Sequence, residues 1–460
     1  MKNDFLSTIA AVSTPRGKGG VALIRISGDE AATVAGRCFS PKCKKDISEL
    51  KARTAYFGDI ISNSEPIDDG IMTIFRAPAS YTGEDMVEIS CHGGVLVTNR
   101  VLEAVFKAGA APAAAGEFTR RAFVNGKLSL TKAEAVGEIL EAKSDAQLHI
   151  AASQRRGALS EKIDTAAHAL TALIADVYAK IDYPDEDLSE ISDEEFARRA
   201  EDIRLSLINL RDTYRSGSAI FEGVNTVICG APNRGKSSLY NAIAGEDAAI
   251  VTEIAGTTRD VLERDIPLGK VLLHLTDTAG IHDTEDVVEQ IGVKRAEERM
   301  NDAELIICVL DGSKALGDAD IALLNKLKDV AAPKIAVLKK SDIGKADIKL
   351  PTGLFEKEVP MSAKNGIGLI ELKAAVEELF IDEKINTNSD AIVTSARQFA
   401  ALDEAQTLIA DAIVTAKSGM GADLASSDLE RAVAVLDELD GRSVSENVVS
   451  EIFGRFCVGK

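Results

Sequence analysis

This chain has no surplus of positive charge: 53 Lys and Arg stand against 73 Asp and Glu, a formal net charge of −20. So acidic a protein does not coat nucleic acid at large, and any RNA contact must use a local basic patch or a partner's surface. It has no apolar run of about 18 residues, so no membrane span is expected. The N-terminus lacks the basic, apolar, small-residue order of a secretory signal, which argues against export. Six cysteines (Cys38, Cys43, Cys91, Cys229, Cys308 and Cys457) are scattered without zinc spacing. Cys229 and Cys308 fall inside apolar runs and are expected in the core, which suits a reduced, cytoplasmic protein.

What is present is length and core material. At 460 residues and 45% hydrophobic content, two or three domains are expected. From Val224 to Phe380 short apolar runs alternate with helical stretches, the signature of a mostly parallel α/β sheet. Runs 261–266 and 271–276, separated by Pro267-Leu268-Gly269-Lys270, predict a hairpin within it. On both sides the sequence turns helical. Residues 131–181 are rich in Ala, Leu, Glu and Lys with almost no glycine or proline. Ser192-Asp193-Glu194-Glu195 is a capping box that opens a helix with Phe196, Ile203, Leu207 and Leu210 on one face. A similar pattern resumes after Ser389 and runs through Leu439. The economical reading is one all-α helical domain with the α/β domain inserted in it. The first 125 residues differ: runs 21–26 and 86–89 predict strands of a compact α+β domain. His92, beside Gly93 and Gly94, is read as part of a structural turn rather than as a catalytic group. The expected limits are 1–125, 126–220, 221–382 and 383–460.

The inserted domain carries the densest chemistry. Gly230-Ala231-Pro232-Asn233-Arg234-Gly235-Lys236-Ser237 follows a strand-like run and precedes a helix start, the context a phosphate-binding loop requires. Backbone N–H groups in such a turn cradle phosphate oxygens, and the helix N-terminus adds positive potential. Lys236 would reach the terminal phosphates, and the Ser237 hydroxyl would ligate magnesium. Arg234 is unusual in such a loop and is read as extending into solvent, with a contact across a dimer interface as the other option. A second apolar run ends in Asp277-Thr278-Ala279-Gly280; an aspartate there holds magnesium through water, and the glycine N–H approaches the terminal phosphate. Between the two lies Gly256-Thr257-Thr258, whose Thr258 would complete the metal shell.

Further on, Lys339-Lys340-Ser341-Asp342 and Ser362-Ala363-Lys364 look like the base-reading motifs of GTPases. Guanine presents a ring N–H and an exocyclic amine side by side, which one carboxylate accepts together; adenine does not, so Asp342 selects GTP. Taken alone, residues 339–342 also read as a solvated turn. In the GTPase pattern the first residue of this motif is asparagine, which accepts and donates, whereas Lys339 only donates. Retained guanine preference with weakened affinity is expected.

In Ras-type GTPases a glutamine follows Asp-x-x-Gly and orients the attacking water. Ile281 occupies that place here and has no atom for the task. Glu289 is a candidate base; the alternative is that its acidic cluster is a solvated helix start. Asn233, Thr252, Ile254 and Thr257 offer oxygens that permit a monovalent cation in place of an arginine finger.

The whole chain resembles the tRNA modification GTPase family MnmE, also called TrmE. The resemblance is carried by Thr14-Pro15-Arg16-Gly17-Lys18-Gly19-Gly20, Leu23-Ile24-Arg25-Ile26-Ser27-Gly28, Tyr81-Thr82-Gly83-Glu84-Asp85, Gly116-Glu117-Phe118-Thr119, Asn125-Gly126-Lys127 and the terminal Phe456-Cys457-Val458-Gly459-Lys460. It implies an N-terminal domain that binds a tetrahydrofolate derivative (5-formyl or 5,10-methylene form) and dimerises, a helical domain, and an inserted P-loop GTPase domain. Family folate contacts fall on Arg25, Glu88, Lys127 and Lys460. Nucleotide contacts extend to Ser238, Glu253, Ile254 and Ala255 beside the motif residues named above. Potassium falls on Asn233, Thr252, Ile254 and Thr257, and Glu289 stands at the position of the family's catalytic glutamate. The family works with the flavoprotein MnmG (GidA) in a heterotetramer, without a membrane, to place a carboxymethylaminomethyl-type group on the wobble uridine of certain tRNAs. Cys457 is either a nucleophilic thiolate or a small packed residue. A different class of function, a GTP-controlled ribosome-assembly protein, would call for a basic RNA-binding module, and none is seen; a dimer scaffold with a degenerate nucleotide site has only Lys339 and Arg234 in its support.

Overall fold

The computed structural model describes residues 7–182, 191–232, 234–247, 263–276, 300–340, 348–362, 367–387 and 390–460. Chain contacts gather it into two compact units. One comprises Met1–Leu140, Gln154–Glu186 and Ser426–Lys460; the other comprises Glu141–Ser153 and Asp187–Ala425. No described helix is long and apolar enough to cross a membrane.

In the first unit seven strands form one sheet: β1 (Ile9–Val12), β2 (Val21–Ser27), β3 (Phe39–Pro41), β4 (Ala55–Ser62), β5 (Glu65–Phe75), β6 (Met86–His92) and β7 (Ala111–Pro112). Their order is β3-β4-β5-β6-β2-β1-β7, and β1 pairs with β7 in parallel while the other pairings are antiparallel. Along β2, Ala22, Ile24 and Ile26 are buried on one face, and the two-residue period sends Arg25 to the other. Val34, Val101 and Val105, from helices Ala31–Cys38 and Val95–Lys107, join Ile24, Ile26, Met72, Ile74, Val87 and Ile89 in one core. Burying each such side chain is worth about 1.5–3 kcal/mol. The same register sets Arg25 directly opposite Glu88 on β6.

The chain end returns to this unit. Helix Glu446–Gly454 buries Val449 and Phe453 with Phe123 and Leu130. Val458 then pairs with Ala115, Phe118 N donates to Lys460 O at 3.1 Å, and Ser13 Oγ donates to Gly459 O at 2.9 Å. The stretch expected to be helical over 131–181 is helical in three pieces, Leu130–Glu141, Asp145–Arg156 and Ala158–Asp182. The last break falls at Gly157, whose φ of +114° is open to glycine and strained for other residues.

The second unit holds a six-stranded sheet in the order β13-β12-β11-β8-β10-β9. Its strands are β8 (Val224–Cys229), β9 (Glu263–Leu268), β10 (Val271–Thr276), β11 (Leu305–Asp311), β12 (Lys334–Lys339) and β13 (Lys357–Met361). β9 is antiparallel to β10 and the other pairings are parallel. The hairpin predicted from sequence is present, but its turn is tighter than expected. Leu268 pairs with Val271 and Pro267 with Leu272, so both belong to β9 and only Gly269 and Lys270 turn. Proline is tolerated there because β9 is the sheet edge. All seven residues of β11 are buried, as a central parallel strand covered on both faces requires. Leu305, Ile307 and Val309 enter one core and Ile306, Cys308 and Leu310 the other. Ser192 caps helix Asp193–Asp212, its side chain accepting from Glu195 N, and Phe196, Leu207 and Leu210 are buried on that helix.

Candidate functional site

In an open parallel sheet, ligands bind beyond the carboxyl ends of the strands. At those ends β8 delivers Gly230, β11 delivers Asp311, and β12 delivers Lys339. Gly230 is required by proximity, since a Cβ there would lie 2.5 Å from Val309 O. Gly235 has φ +93° and lies beneath the stem of Lys339, whose Cδ would be 3.1 Å from an added Cβ. Helix Lys236–Asp247 starts at once, with Ser237 and Ser238 exposed in its first turn. Lys236 Nζ donates to Gly230 O at 2.9 Å and to Ala231 O at 3.3 Å. Burial holds its ammonium below the usual lysine range.

Lys339, 5% exposed, donates through Nζ to Gly235 O at 3.1 Å and to Ser238 Oγ at 2.9 Å. The end of β12 is therefore tied to the loop at Gly235 and the start of helix Lys236–Asp247 by an ammonium, where the GTPase pattern has an asparagine. Burial lowers its pKa as well. Ser362 is buried at the end of β13, and its N–H donates to Ile367 O at 3.0 Å.

Arg234 does not extend into solvent, contrary to the expectation from sequence. Its side chain is 19% exposed and paired with Asp320: Nε donates to Oδ1 at 3.1 Å and Nη2 to Oδ2. The physical reason is a buried carboxylate, 2% exposed, at the start of helix Asp318–Leu327, which must be paired. Asp311 is the residue that sequence reasoning missed. It is 4% exposed at its side chain, 2.7 Å from Lys340 Nζ and 3.8 Å from Arg234 Nη1. Burial pushes the Asp311 carboxyl up, but Lys340 and the Ser313 hydroxyl and N–H outweigh it and bring it down to about 2. The available signal was an aspartate ending an all-apolar strand.

Asn233, Thr252, Glu253, Ile254, Ala255, Gly256, Thr257, Thr258, Asp277, Thr278, Ala279, Gly280, Glu289, Asp342, Ala363 and Lys364 lie outside the described residues.

The first unit holds a second cluster. Arg25 Nε and Nη2 donate to Glu88 Oε1 at 3.0 and 2.8 Å. Both bonds fall on one oxygen, so Oε2 takes no hydrogen bond from a described residue. The Arg25 guanidinium stacks 5.4 Å from the Tyr81 ring centre and 5.6 Å from that of Phe118. Those two rings had no role assigned from sequence. Lys460 is brought to the same place: burial first, then Arg25 and Arg155, lower its pKa, while Cys457 and Glu88 oppose. Lys127 donates instead to Pro78 O at 3.0 Å, and no hydrogen bond or ion pair among the described residues joins it to the other three. Cys457 is exposed, whereas Cys229 and Cys308 are buried as expected. His92, read from sequence as part of a turn, is instead the last residue of β6, where it pairs with Asp68 on the neighbouring β5, N to Oδ2 at 2.9 Å and Nδ1 to Oδ1 at 2.7 Å.

Comparison with known proteins matches residues 130–457 to the MnmE helical domain and residues 8–127 to the GTP-binding protein TrmE N-terminus. The chain is 39% identical over 457 residues to the tRNA modification GTPase MnmE of Clostridioides difficile, covering 98% of this chain and 99% of that one. It is 40% identical over 467 residues to the like-named protein of Lachnoclostridium phytofermentans, covering 100% of both. With that of Geobacillus kaustophilus it shares 39% over 459 residues, 98% of this chain and 99% of the other.

Proposed function

The chain belongs to the tRNA modification GTPase MnmE family and is a GTP hydrolase, and on that premise we propose a potassium-dependent machine that modifies tRNA wobble uridines with a tetrahydrofolate one-carbon unit. It works in the cytoplasm as a homodimer joined to the flavoprotein MnmG, with domain limits at 1–125, 126–220, 221–382 and 383–460. The group installed is of the carboxymethylaminomethyl type.

The observation that carries this reading is the docking of the C-terminus on the N-terminal sheet. Val458 pairs with Ala115, and Phe118, whose N–H donates to Lys460 O at 3.1 Å, also sets its ring against Arg25 of the Arg25–Glu88 pair. A pterin edge displays a ring N–H beside an amine, which the open Glu88 oxygen is suited to accept. Carboxylates of a folate tail suit the cations Lys460, Arg155 and Lys127. Bound there, the cofactor supplies one carbon at the methylene oxidation level.

At the strand ends of the sheet, Lys236 would neutralise charge on the terminal phosphates, and Ser237 would hold magnesium, which supplies Lewis-acid stabilisation when bound. Glu289 would accept a proton from the attacking water. Asn233, Thr252, Ile254 and Thr257 would hold potassium.

The test is nucleoside analysis of tRNA from cells lacking the protein, beside GTP turnover in potassium and in sodium. The modified wobble uridine disappears and turnover needs potassium; intact modification, or equal rates in both salts, defeats the reading.

A further inference from the structure

Two chain segments read as handling a nucleotide converge on one carboxylate. Asp311 ends β11 and accepts Ser313 N and Oγ on Oδ1 at 3.1 and 2.6 Å. Its Oδ2 accepts Lys340 Nζ at 2.7 Å and faces Arg234 Nη1 at 3.8 Å. Arg234 belongs to the phosphate loop, and Lys340 to the base-reading motif beside Lys339. Gly312 N, immediately after Asp311, donates to Lys339 O at 2.8 Å, which fixes the same strand end a second time.

Lys340 itself has φ +62°, in the left-handed region that a side-chain-bearing residue keeps only where its surroundings hold it. The Asp311 carboxylate is a holder that the structure shows. It is buried and stays ionised through its donors, and an ionised carboxylate only accepts. Its position is therefore set by the cations around it, and theirs by it. Without that charge, Arg234 and Lys340 are two cations left facing each other with one carboxylate, Asp320, on Arg234 alone.

We propose that Asp311 is a positioning residue for guanine recognition: it holds Lys340, the last described residue of the base-reading motif, in its left-handed conformation against Arg234 of the phosphate loop. Asp311 acts through Lys340 and does not touch the base. It makes grip on the base and grip on the phosphates one property, because both segments lean on the same side chain. The proposal rests on the guanine-nucleotide site of the family.

The experiment uses the full chain and competition against a fluorescent guanine nucleotide. It measures dissociation constants for GTP and for inosine triphosphate, which lacks only the exocyclic amine. Asp311→Asn keeps shape and removes charge; GTP affinity falls about tenfold, with a smaller change for the inosine nucleotide, so discrimination between the two narrows. Asp311→Glu, which keeps the charge beside Lys340, stays within about threefold of wild type in this discrimination. A merely structural aspartate would lower the melting temperature and leave the ratio of the two affinities alone. An unchanged ratio in Asp311→Asn, or a ratio in Asp311→Glu narrowed as far as in Asp311→Asn, overturns the proposal. Failure of the wild type to bind any guanine nucleotide overturns the site on which it rests, and the proposal with it.

Discussion

Lys339 Nζ lies 3.1 Å from the carbonyl oxygen of Gly235 and 2.9 Å from Ser238 Oγ, so a buried ammonium with neutral acceptors spans the end of β12 and the first turn of helix Lys236–Asp247. An ammonium only donates and loses hydration when buried; an asparagine in its place would donate, accept and carry no charge. Lys339→Asn is expected to bind GTP about threefold to tenfold more tightly, and Lys339→Met, which keeps the stem without a donor, less tightly. Both variants still prefer GTP to ATP. Tighter binding by the wild type than by Lys339→Asn would refute the argument.

The Arg25–Glu88 pair gives the next expectation. Its guanidinium uses only Oε1, and two aromatic rings fix its plane, so Glu88 is oriented with Oε2 open. Glu88→Gln offers half the acceptor strength and misplaces an amine, and 5-formyl-tetrahydrofolate binding should weaken about tenfold to a hundredfold. Equilibrium dialysis measures it. Binding undiminished in Glu88→Ala with Arg25→Ala would exclude this cluster from the site.

The sequence made some of this legible and left the rest hidden, for a physical reason. Apolar runs ending in glycine or aspartate located β2, β6, β8 and β10, because burial on one or both faces is written along the chain itself. The tight turn at Gly269 and Lys270 was misjudged because proline suits both a loop and an edge strand, and only the sheet order decides. Arg234 was read as solvated because its partner, Asp320, stands 86 positions away. Ser13 meets Gly459 across 446 positions. No local period records which side chains reach across a sheet, so the pairing of Asp311 with Lys340 and the setting of Tyr81 and Phe118 against Arg25 became visible only with the fold.

Arg121 tests the packing that holds the first cluster's surroundings. It is fully buried, with Nη2 2.7 Å from Glu117 Oε1 and Nη1 3.1 Å from Glu84 Oε2. Glu84 in turn accepts from Ser27 on β2 at 2.8 Å. Arg121→Met strands two carboxylates, and a loss of about 3–5 kcal/mol is expected. Adding Glu84→Gln and Glu117→Gln recovers most of it, because the uncompensated charge is gone. Circular dichroism melting follows the change; a loss below about 1 kcal/mol in the single variant contradicts it.

Asp311 gives a pH dependence whose sign is fixed. Its carboxyl, ordinarily at 3.8, lies at about 2 in the folded protein, so the folded state holds fewer protons than the unfolded one between those values. The resulting stability is present in full above the unfolded value and is lost as pH falls through the folded one. The shift corresponds to about 2 kcal/mol. Asp311→Asn has no such group, so it should be less stable than wild type at pH 6 by that order, and the gap should shrink toward nothing near pH 2. The chain has no tryptophan, so denaturant unfolding is best followed by circular dichroism at each pH. A gap of equal size at both pH values would mean that the Asp311 side chain stabilises through shape alone, and that Lys340 and Arg234 do not depend on its charge.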